Sequence, residues 1–401
     1  MTKLAQSFDA EYFLDGFELV ETAAELRARL QTGRPLNVKL GIDPTSPDLH
    51  LGFMVVLEKL QRFALAGHRV TLIIGDFTAR IGDPSGKNIT RPQVTDEEIA
   101  ANMVTYREQA GKVLDLERVT IRYNSEWLGK LDLAALIGLL AKTTVAQMLE
   151  RNDFHNRHAA GAAISLHEFL YPVAQAYDSV AVEADVELGG TDQLFNLLLG
   201  RHYQREFGQA PQICAMVPLL VGLDGVQKMS KSLANYVGIA ESAEQQFGKL
   251  MSIADTLIPT YARYAAFRAQ ADCDILKNDL LAGRRNPMDE KKRLADEIVA
   301  RYHGDSAARA ARENFERTVQ RKEIPTIGIP ELERGDCARV AEVLVKAGFA
   351  ESRRAAERLI SGNGVKVDGI VVSDAKAPWV WSASVVLSVG SRKFVRVNSA
   401  K

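Results

Sequence analysis

Short apolar segments alternate with helical patterns in the first half of the chain, and this alternation is the strongest constraint on its fold. Residues 36–42 and 70–74 have the composition of buried strands, and residues 52–66 between them carry apolar side chains at helical spacing. Residues 119–123 and 186–188 are the next two predicted strands. Strands that alternate with helices predict an α/β fold with a doubly wound parallel sheet.

Polar residues and glycines stand where these predicted strands end. Asp43, Asp76, Asn124 and Gly189 each lie at or directly after the carboxyl end of one of them. Ligands of doubly wound sheets bind at that edge, so we expect these residues to lie near a binding site. Elsewhere the pattern predicts one amphipathic helix over residues 11–32 and a mostly helical region over residues 242–321.

The charge of the chain is unevenly distributed. Its 50 Lys and Arg nearly balance its 51 Asp and Glu, but residues 334–401 hold 12 basic and only 6 acidic residues. This basic segment favours contact with a polyanion at the C-terminal end, although a solvated basic surface would have the same composition.

The cysteine count and the apolar runs indicate the compartment. The three cysteines, Cys214, Cys273 and Cys337, are too widely spaced for a metal motif and too few for a disulfide framework. We therefore expect a reducing, cytoplasmic location and no tightly bound metal. The N-terminus lacks a signal-peptide pattern, and we expect no membrane segment.

Residues 41–53 enter a predicted helix through the string Gly-Ile-Asp-Pro-Thr-Ser-Pro-Asp-Leu-His-Leu-Gly-Phe. The free N–H groups at a helix start attract anions, and Thr45 and His50 add donors suited to phosphate oxygens. Gly52 lacks a side chain and would let a flat base approach the backbone. A capped helix start with an incidental histidine is the alternative for this string taken alone.

Residues 228–232 read Lys-Met-Ser-Lys-Ser after a glycine-containing turn. Lys228 and Lys231 are two cations on a short loop, and Ser230 and Ser232 add hydroxyl donors. Such a loop could close on a pyrophosphate as charge develops there. A solvated basic loop is the alternative, but the two strings together predict a site that holds ATP from two sides.

Further polar groups are arranged to bind an amino acid. Tyr171, Gln175 and Asp178 are spaced by four and three residues, which places them on one face of a predicted helix. Asp83 could hold a substrate ammonium group. Asp192, in the string Gly-Gly-Thr-Asp-Gln, could accept ribose hydroxyls.

Together these features closely resemble the bacterial-type tyrosyl-tRNA synthetases, which are class I aminoacyl-tRNA synthetases. Residues 50–53 match the family's His-Ile-Gly-His signature, and residues 228–232 match its Lys-Met-Ser-Lys-Ser signature without change. Residues 339–368 resemble a small RNA-binding module that is also found in a ribosomal protein. The resemblance covers essentially the whole chain.

The resemblance implies an activity and a domain order. The expected reaction is activation of L-tyrosine by ATP with Mg²⁺, followed by transfer of the tyrosyl group to tRNA, in a homodimer whose tails serve tRNA docked on the other subunit. The expected domains are a Rossmann-like catalytic domain (1–234), a helical tRNA-contacting domain (235–322), a linker (323–334) and a small α+β RNA-binding domain (335–401).

The resemblance also assigns roles to individual residues. The catalytic groups would be His50, Thr45, Lys228 and Lys231. ATP would be bound by Gly41, Asp43, Pro44, His50, Gly52, Phe53, Gly190, Asp192, Lys228, Met229, Ser230, Lys231 and Ser232. Tyrosine would be bound by Lys39, Asp43, Asp83, Asn124, Tyr171, Gln175, Asp178 and Gln193. The tRNA would be bound by Arg353, Arg354, Arg358 and Lys366.

Two residues depart from the family pattern. Phe53 stands where the signature has its second histidine, so any contact of that imidazole with ATP is absent. Lys39 stands where one branch of the family has a tyrosine that bonds the substrate hydroxyl. Recognition of the phenol is therefore expected to depend on Asp178.

Three alternatives share parts of this pattern. A tryptophanyl-tRNA synthetase has both signatures, but its indole substrate needs no carboxylate partner of this type. Another adenylate-forming nucleotidyltransferase would not need the basic, RNA-binding tail. A synthetase-derived RNA-binding protein without catalysis would not need the intact lysine loop and pocket residues.

Overall fold

The computed structural model describes residues 8–45, 47–84, 95–320, 329–390 and 393–398. Residues 1–241 and 252–294 form one compact unit, and residues 242–251 and 295–401 form a second. The predicted helical domain, residues 235–322, is thus shared between the two units. Half of the predicted linker 323–334, namely residues 323–328, lies outside the described residues.

The strands of the described residues are β1 Leu19–Glu21, β2 Asn37–Ile42, β3 Arg69–Ile74, β4 Val119–Tyr123, β5 Val186–Gly190, β6 Ile213–Val217, β7 Glu331–Glu333, β8 Val365–Val367, β9 Ile370–Val371, β10 Val385–Val389 and β11 Lys393–Asn398. The helices are α1 Ala10–Leu14, α2 Ala23–Gln31, α3 Leu51–Leu65, α4 Thr78–Ile81, α5 Asp96–Ala110, α6 Ser125–Leu128, α7 Leu133–Leu140, α8 Val145–Met148, α9 Asn152–Ala159, α10 Leu170–Ala181, α11 Leu194–Glu206, α12 Ala243–Met251, α13 Ile258–Tyr264, α14 Gln270–Leu281, α15 Pro287–His303, α16 Asp305–Phe315, α17 Val340–Lys346 and α18 Arg353–Ser361.

The first unit is built on a six-stranded sheet with the order β1-β6-β5-β2-β3-β4. Every neighbouring pair from β6 to β4 is parallel, and only the edge strand β1 runs antiparallel. The chain leaves β2 toward β4 and then returns to β5 on the other side of β2. The predicted doubly wound α/β class is confirmed, and the crevice between the ends of β2 and β5 is the expected ligand position.

The prediction of one continuous helix over residues 11–32 is wrong. The structure has α1, then the short strand β1, then α2 in this segment. Gly16 adopts a φ of +79°, and a Cβ at this position would lie 2.8 Å from Lys59 Nζ. Glycine therefore ends the first helix in a conformation that other residues rarely adopt. Thr22 then caps α2 by accepting a hydrogen bond from the Glu25 N–H.

Helix α3 fixes the first signature string against the sheet. The apolar side chains predicted for one face are buried, namely Val55, Val56, Leu60, Phe63 and Ala64. Burying the valine, leucine and phenylalanine side chains stabilises the folded state by roughly 1.5–3 kcal/mol each. The start of α3 is therefore held firmly at the end of β2.

The second unit contains a helical part and a smaller sheet. In the helical part α12 packs on α16, where the ring centres of Phe247 and Phe315 are 5.5 Å apart. The sheet has the order β7-β11-β10-β8-β9, and α17 and α18 cover its core of Val340, Leu344, Ile360 and Leu387. Strand β7 pairs with β11, so this sheet includes residues 331–333 of the predicted linker.

Candidate active site

A cavity of about 1170 Å³ opens at the carboxyl ends of the central strands of the first unit. Both signature strings line it. Of the predicted residues, those in its wall are Gly41, Asp43, Thr45, His50, Gly52, Phe53, Asp83, Asn124, Tyr171, Gln175, Asp178, Gly190, Asp192, Gln193, Lys228, Met229, Ser230, Lys231 and Ser232. Pro44 and Lys39 are not in this wall. The prediction that the two strings share one cleft is confirmed.

Main-chain hydrogen bonds bring the two strings together. The Leu51 N–H donates to the Val237 carbonyl at 3.1 Å, and the Ile239 N–H donates to the Leu49 carbonyl at 2.9 Å. These bonds form a short antiparallel bridge between the turn before α3 and the segment after the lysine loop. The loop is held at its other end by the Met229 N–H, which donates to the Leu220 carbonyl at 2.7 Å.

His50 occupies the position before α3 and is buried against the helix start. Burial lowers the pKa of His50 to about 3, and repulsion by Lys231 and Lys228 adds to the effect. The imidazole is therefore neutral at physiological pH and can donate one N–H without carrying charge. A Cβ on Gly52 would lie 3.0 Å from two atoms of this ring, so the glycine gives the imidazole its space.

The two loop lysines have different surroundings. Lys228 Nζ forms an ion pair with Asp192 Oδ2 at 2.6 Å, and both side chains are partly exposed. Lys231 Nζ lies 5.9 Å from the ring centre of Phe53 and 5.7 Å from that of Tyr106. An ammonium at this distance is attracted to an aromatic face. Phe53, the departure from the family signature, thus provides a surface for Lys231.

Burial also affects the charge of Lys231. Its burial lowers the pKa to about 8, while attraction to Asp48 acts in the opposite direction. The amine is therefore mostly protonated at neutral pH and loses its charge in mildly basic solution.

Asp43 is held by two hydroxyl groups. Its Oδ2 accepts from Tyr171 Oη at 2.9 Å, and its Oδ1 accepts from Thr78 Oγ1 at 2.7 Å. Burial, followed by repulsion from Asp43, raises the pKa of Tyr171 well above its ordinary value. Tyr171 therefore stays protonated and remains a donor. A Cβ on Gly75 would lie 2.0 Å from Asp43 Oδ1 and 2.3 Å from Thr78 Oγ1.

We expect Gly75→Ala to displace Asp43 and Thr78, because a methyl group cannot occupy that space. The free energy of unfolding should fall by about 1–3 kcal/mol, the usual cost of overpacking. Chemical denaturation measures this change. Gly248→Ala in α12 is the matched control, since nothing lies within 4 Å of its added methyl group. Equal stability of Gly75→Ala and the wild type would contradict the described contact.

Asp178 lies in the cavity wall with its carboxylate almost fully buried. Trp127 Nε1 donates to its Oδ1 at 2.8 Å, and Asn124 Nδ2 donates to its Oδ2 at 3.3 Å. Burial raises the pKa of Asp178 to about 7. Attraction to Lys39 opposes this rise most, and the two hydrogen bonds oppose it further. Each carboxylate oxygen retains acceptor capacity for a ligand.

A second polar network includes three residues of the cavity wall, Asp83, Gln175 and Gln193. Arg151 Nη2 pairs with Asp83 Oδ1 at 3.0 Å, and Gln193 Nε2 donates to Asp83 Oδ2 at 2.9 Å. Asn196 Nδ2 donates to Gln175 Oε1 at 2.9 Å and to Gln193 Oε1 at 2.8 Å. Arg151 Nη1 completes the network by donating to Asn196 Oδ1 at 2.9 Å.

Sequence reasoning missed the residues that hold the predicted ones in place. They are Thr78, Trp127, Arg151, Asn196 and Glu187. None belongs to a spaced motif, and each acts through a partner that is distant in sequence. The available signal was a polar side chain within an apolar pattern, such as Glu187 in the strand after residue 185.

The predicted tRNA contacts lie in the second unit. Arg353, Arg354 and Arg358 are on α18, and Lys366 is on β8. All four side chains are exposed. Arg353 forms ion pairs within the module, at 3.4 Å from Glu342 and 3.6 Å from Glu357.

Within the described ranges, no group of three or more His, Cys, Asp or Glu side chains is arranged to hold a metal ion. None of the helices described is both long enough and apolar enough to cross a membrane.

Two protein families match the chain. The family described as tRNA synthetases class I (W and Y) matches residues 31–320. The S4 domain family matches residues 338–378, which contain α17, α18, β8 and β9. The first match covers the cavity and both signature strings.

Curated relatives match over nearly their whole length. The chain is 51% identical to the tyrosine–tRNA ligase of Moorella thermoacetica over 377 residues, which are 94% of this chain and 91% of that protein. It is 50% identical to the tyrosine–tRNA ligase of Ralstonia nicotianae over 378 residues, 94% of this chain and 95% of that protein.

Solved structures share the fold. A tyrosyl-tRNA synthetase from Archaeoglobus fulgidus, complexed with L-tyrosine, superposes with a TM-score of 0.62 at 23% identity, over 76% of this chain and 98% of that one. A truncated mitochondrial tyrosyl-tRNA synthetase from Aspergillus nidulans gives a TM-score of 0.63 at 22% identity, over 77% of this chain and 94% of that one. With both signatures in one cavity and relatives at about half identity, the chain belongs to the bacterial tyrosyl-tRNA synthetases of class I.

Proposed function

We propose that the cavity activates L-tyrosine with ATP to tyrosyl-adenylate and pyrophosphate, and then transfers the tyrosyl group to the 3′-terminal adenosine of its tRNA. The observation that carries this proposal is the shared cavity, which is lined by the His50 turn, the lysine loop and Asp178. The chain is thus a tyrosine–tRNA ligase that uses ATP as a substrate.

The first step needs no protein nucleophile. The carboxylate of tyrosine attacks the α-phosphorus of ATP in line, and pyrophosphate leaves with the bond electrons. Catalysis therefore consists of positioning and of stabilising charge on the phosphates. Neutral His50 and Thr45 supply hydrogen-bond donors on one side of the cavity. Lys228 and Lys231 supply positive charge on the other side.

We propose that ATP exchanges partners with an existing ion pair. Lys228 and Asp192 bind each other in the described state. The triphosphate offers Lys228 a stronger anionic partner, and the ribose hydroxyls offer Asp192 two donors. Gly41, Gly52, Gly190 and Met229 line the same wall and leave space for the adenosine. Ser230 and Ser232 provide further donors to phosphate, and Pro44 stays a predicted contact.

Tyrosine is proposed to lie with its phenol at Asp178 and its ammonium group near Asp83. The Asp178 carboxylate, oriented by Asn124, accepts the phenol hydrogen bond. Phenylalanine would leave this buried carboxylate without that partner, which costs about 1–3 kcal/mol. Asp43, Tyr171, Gln175 and Gln193 complete the polar wall around the amino acid.

Amino-acid-dependent exchange of pyrophosphate into ATP tests the function. Tyrosine should drive exchange, while phenylalanine and tryptophan should not at equal concentration. Exchange driven by tryptophan would select the tryptophanyl alternative, which the curated relatives do not support. The absence of exchange with all three would favour the other nucleotidyltransferase or the RNA-binding protein without catalysis.

Other partners are proposed on separate grounds. We expect Mg²⁺ to arrive with ATP, because phosphate oxygens suit this cation. The S4 match supports tRNA binding by the second unit through Arg353, Arg354, Arg358 and Lys366. The bacterial relatives support a cytoplasmic location.

A homodimer is proposed from an exposed face of the first unit. On α7, Leu133 is 73% exposed and Ile137 is 57% exposed, and Leu140 on the next turn is also exposed. The three side chains lie at spacings of four and three residues, so they form one apolar stripe. Exposed apolar patches of this kind mark protein interfaces.

A further inference from the structure

Lys39 is buried in the centre of the first sheet. It lies on β2, its residue is 1% exposed, and it is not part of the cavity wall. A lysine is almost never buried to this extent unless it is paired, because an isolated ammonium group is costly to remove from water. The buried ammonium group of Lys39 therefore requires an anionic partner.

The partner is Glu187 on the neighbouring strand. Lys39 and Glu187 are paired residues in the register of β2 and β5, and Lys39 Nζ lies 3.1 Å from Glu187 Oε1. Lys39 Nζ also donates to the Gln175 carbonyl at 3.4 Å. Glu187 Oε2 accepts from Ser179 Oγ at 3.1 Å and from Gln212 Nε2. Glu187 is thus bonded on both oxygens.

One further bond connects this pair to the cavity. Gln175 Nε2 donates to Glu187 Oε1 at 3.1 Å, the same oxygen that Lys39 contacts. The other end of this amide, Gln175 Oε1, accepts from Asn196 in the polar network of the cavity wall. The Lys39–Glu187 pair therefore fixes the orientation of the Gln175 amide from the side opposite Asn196.

The charge of Lys39 also reaches Asp178. Burial raises the pKa of Asp178, attraction to Lys39 is the largest opposing effect, and repulsion from Glu187 adds to the rise. The neutral donors Trp127 and Asn124 contact the same carboxylate. Two groups proposed to bind tyrosine, Gln175 and Asp178, thus depend on one buried ammonium group.

We propose that Lys39 is a positioning residue for the amino-acid substrate. It does not contact tyrosine; it sets the orientation of Gln175 through Glu187. This role replaces the direct contact predicted from the sequence, and it rests on the proposed function.

Steady-state pyrophosphate exchange with Lys39→Met tests this proposal. We expect the KM for tyrosine to rise about tenfold or more, while the KM for ATP stays within about twofold, because only the amino-acid side of the cavity loses its support. The acidic limb of the pH profile of kcat/KM for tyrosine should move to higher pH. An unchanged tyrosine KM in the folded variant would overturn the proposal.

Lys39→Met leaves Glu187 as an uncompensated buried charge, so a second variant is needed. Lys39→Met/Glu187→Gln removes both charges and should fold, with the tyrosine KM still raised. Recovery of the wild-type KM in the double variant would show that Lys39 only neutralises Glu187. Failure of both variants to fold would assign Lys39 a purely structural role, which also overturns the proposal.

Two controls complete the design. Ser179→Ala removes a bond to the other oxygen of Glu187 that does not lead to the cavity, so its tyrosine KM should match the wild type. Wild-type protein must itself show tyrosine-dependent exchange. Its absence would refute the proposed function, whereas normal wild-type exchange with an unaltered Lys39→Met variant would refute only the inference about Lys39.

Discussion

We expect Lys231→Ala to lower the rate of tyrosyl-adenylate formation about 10²- to 10³-fold, the usual cost of removing one group aimed at transition-state charge. Lys231 lies in the cavity wall near the rings of Phe53 and Tyr106, and burial lowers its pKa to about 8. Its charge acts on the phosphates only when tyrosine attacks, so the dissociation constant of tyrosine should change little. Single-turnover kinetics and tyrosine titration measure the two quantities separately.

The pH dependence gives an independent measure of the same group. Lys231 is cationic below its pKa and loses its charge as the pH rises through about 8. In the wild type, kcat/KM for ATP should therefore fall above that pH. Lys231→Arg should lack this basic limb, because arginine stays protonated. Lys130→Ala, an exposed lysine, is the control. If Lys231→Ala weakened tyrosine binding as much as it lowered the rate of adenylate formation, a transition-state role of Lys231 would be contradicted.

We expect the triple variant Arg354→Ala/Arg358→Ala/Lys366→Ala to charge tRNA much less efficiently while it keeps pyrophosphate exchange. Each phosphate contact contributes to affinity through counterion release, so kcat/KM for tRNA should fall by about 10- to 100-fold near physiological salt. The slope of log affinity against log salt should become shallower by about one per lost contact. Filter binding and aminoacylation at several salt concentrations measure both effects.

A second triple variant, which also removes three positive charges, tests whether the loss of net charge alone lowers tRNA charging. Arg27→Ala/Arg118→Ala/Lys130→Ala removes three exposed cations from the first unit. Its charging kinetics should remain close to those of the wild type. The RNA role of the S4 module would be refuted if both triple variants lost the same activity, or if neither did.

The sequence predicted four of the six strands of the first unit's sheet and missed β1 and β6, although all five residues of β6 are buried. β2, β3, β4 and β5 were predicted because Val, Ile and Leu residues recur in these short segments between turn residues. β1 was missed because its three residues are held in the sheet only by pairing with β6. The helix predicted over residues 11–32 failed because the pattern gave no weight to the conformation of Gly16.

For the site, the sequence located the groups that face the ligand. The signature strings and the helix carrying Asp178 have local spacing, and all three line the cavity. The supporting groups could not be predicted, since Arg151 meets Asp83 across 68 residues. Lys39 was expected to contact substrate, yet the pairing register of β2 and β5 sets its position beside Glu187.

The bridge between the Leu49–Leu51 backbone and the Val237–Ile239 backbone has a consequence for engineering. The loop that carries both lysines is hydrogen-bonded to the start of α3 through Val237 and Ile239. A loop grafted from another enzyme must therefore include the residues that form these bonds. Replacing residues 228–232 alone would keep the two lysine ammonium groups but lose their alignment with the His50 imidazole. The segment to exchange between enzymes is therefore longer than the loop and runs from Leu220 to Ile239.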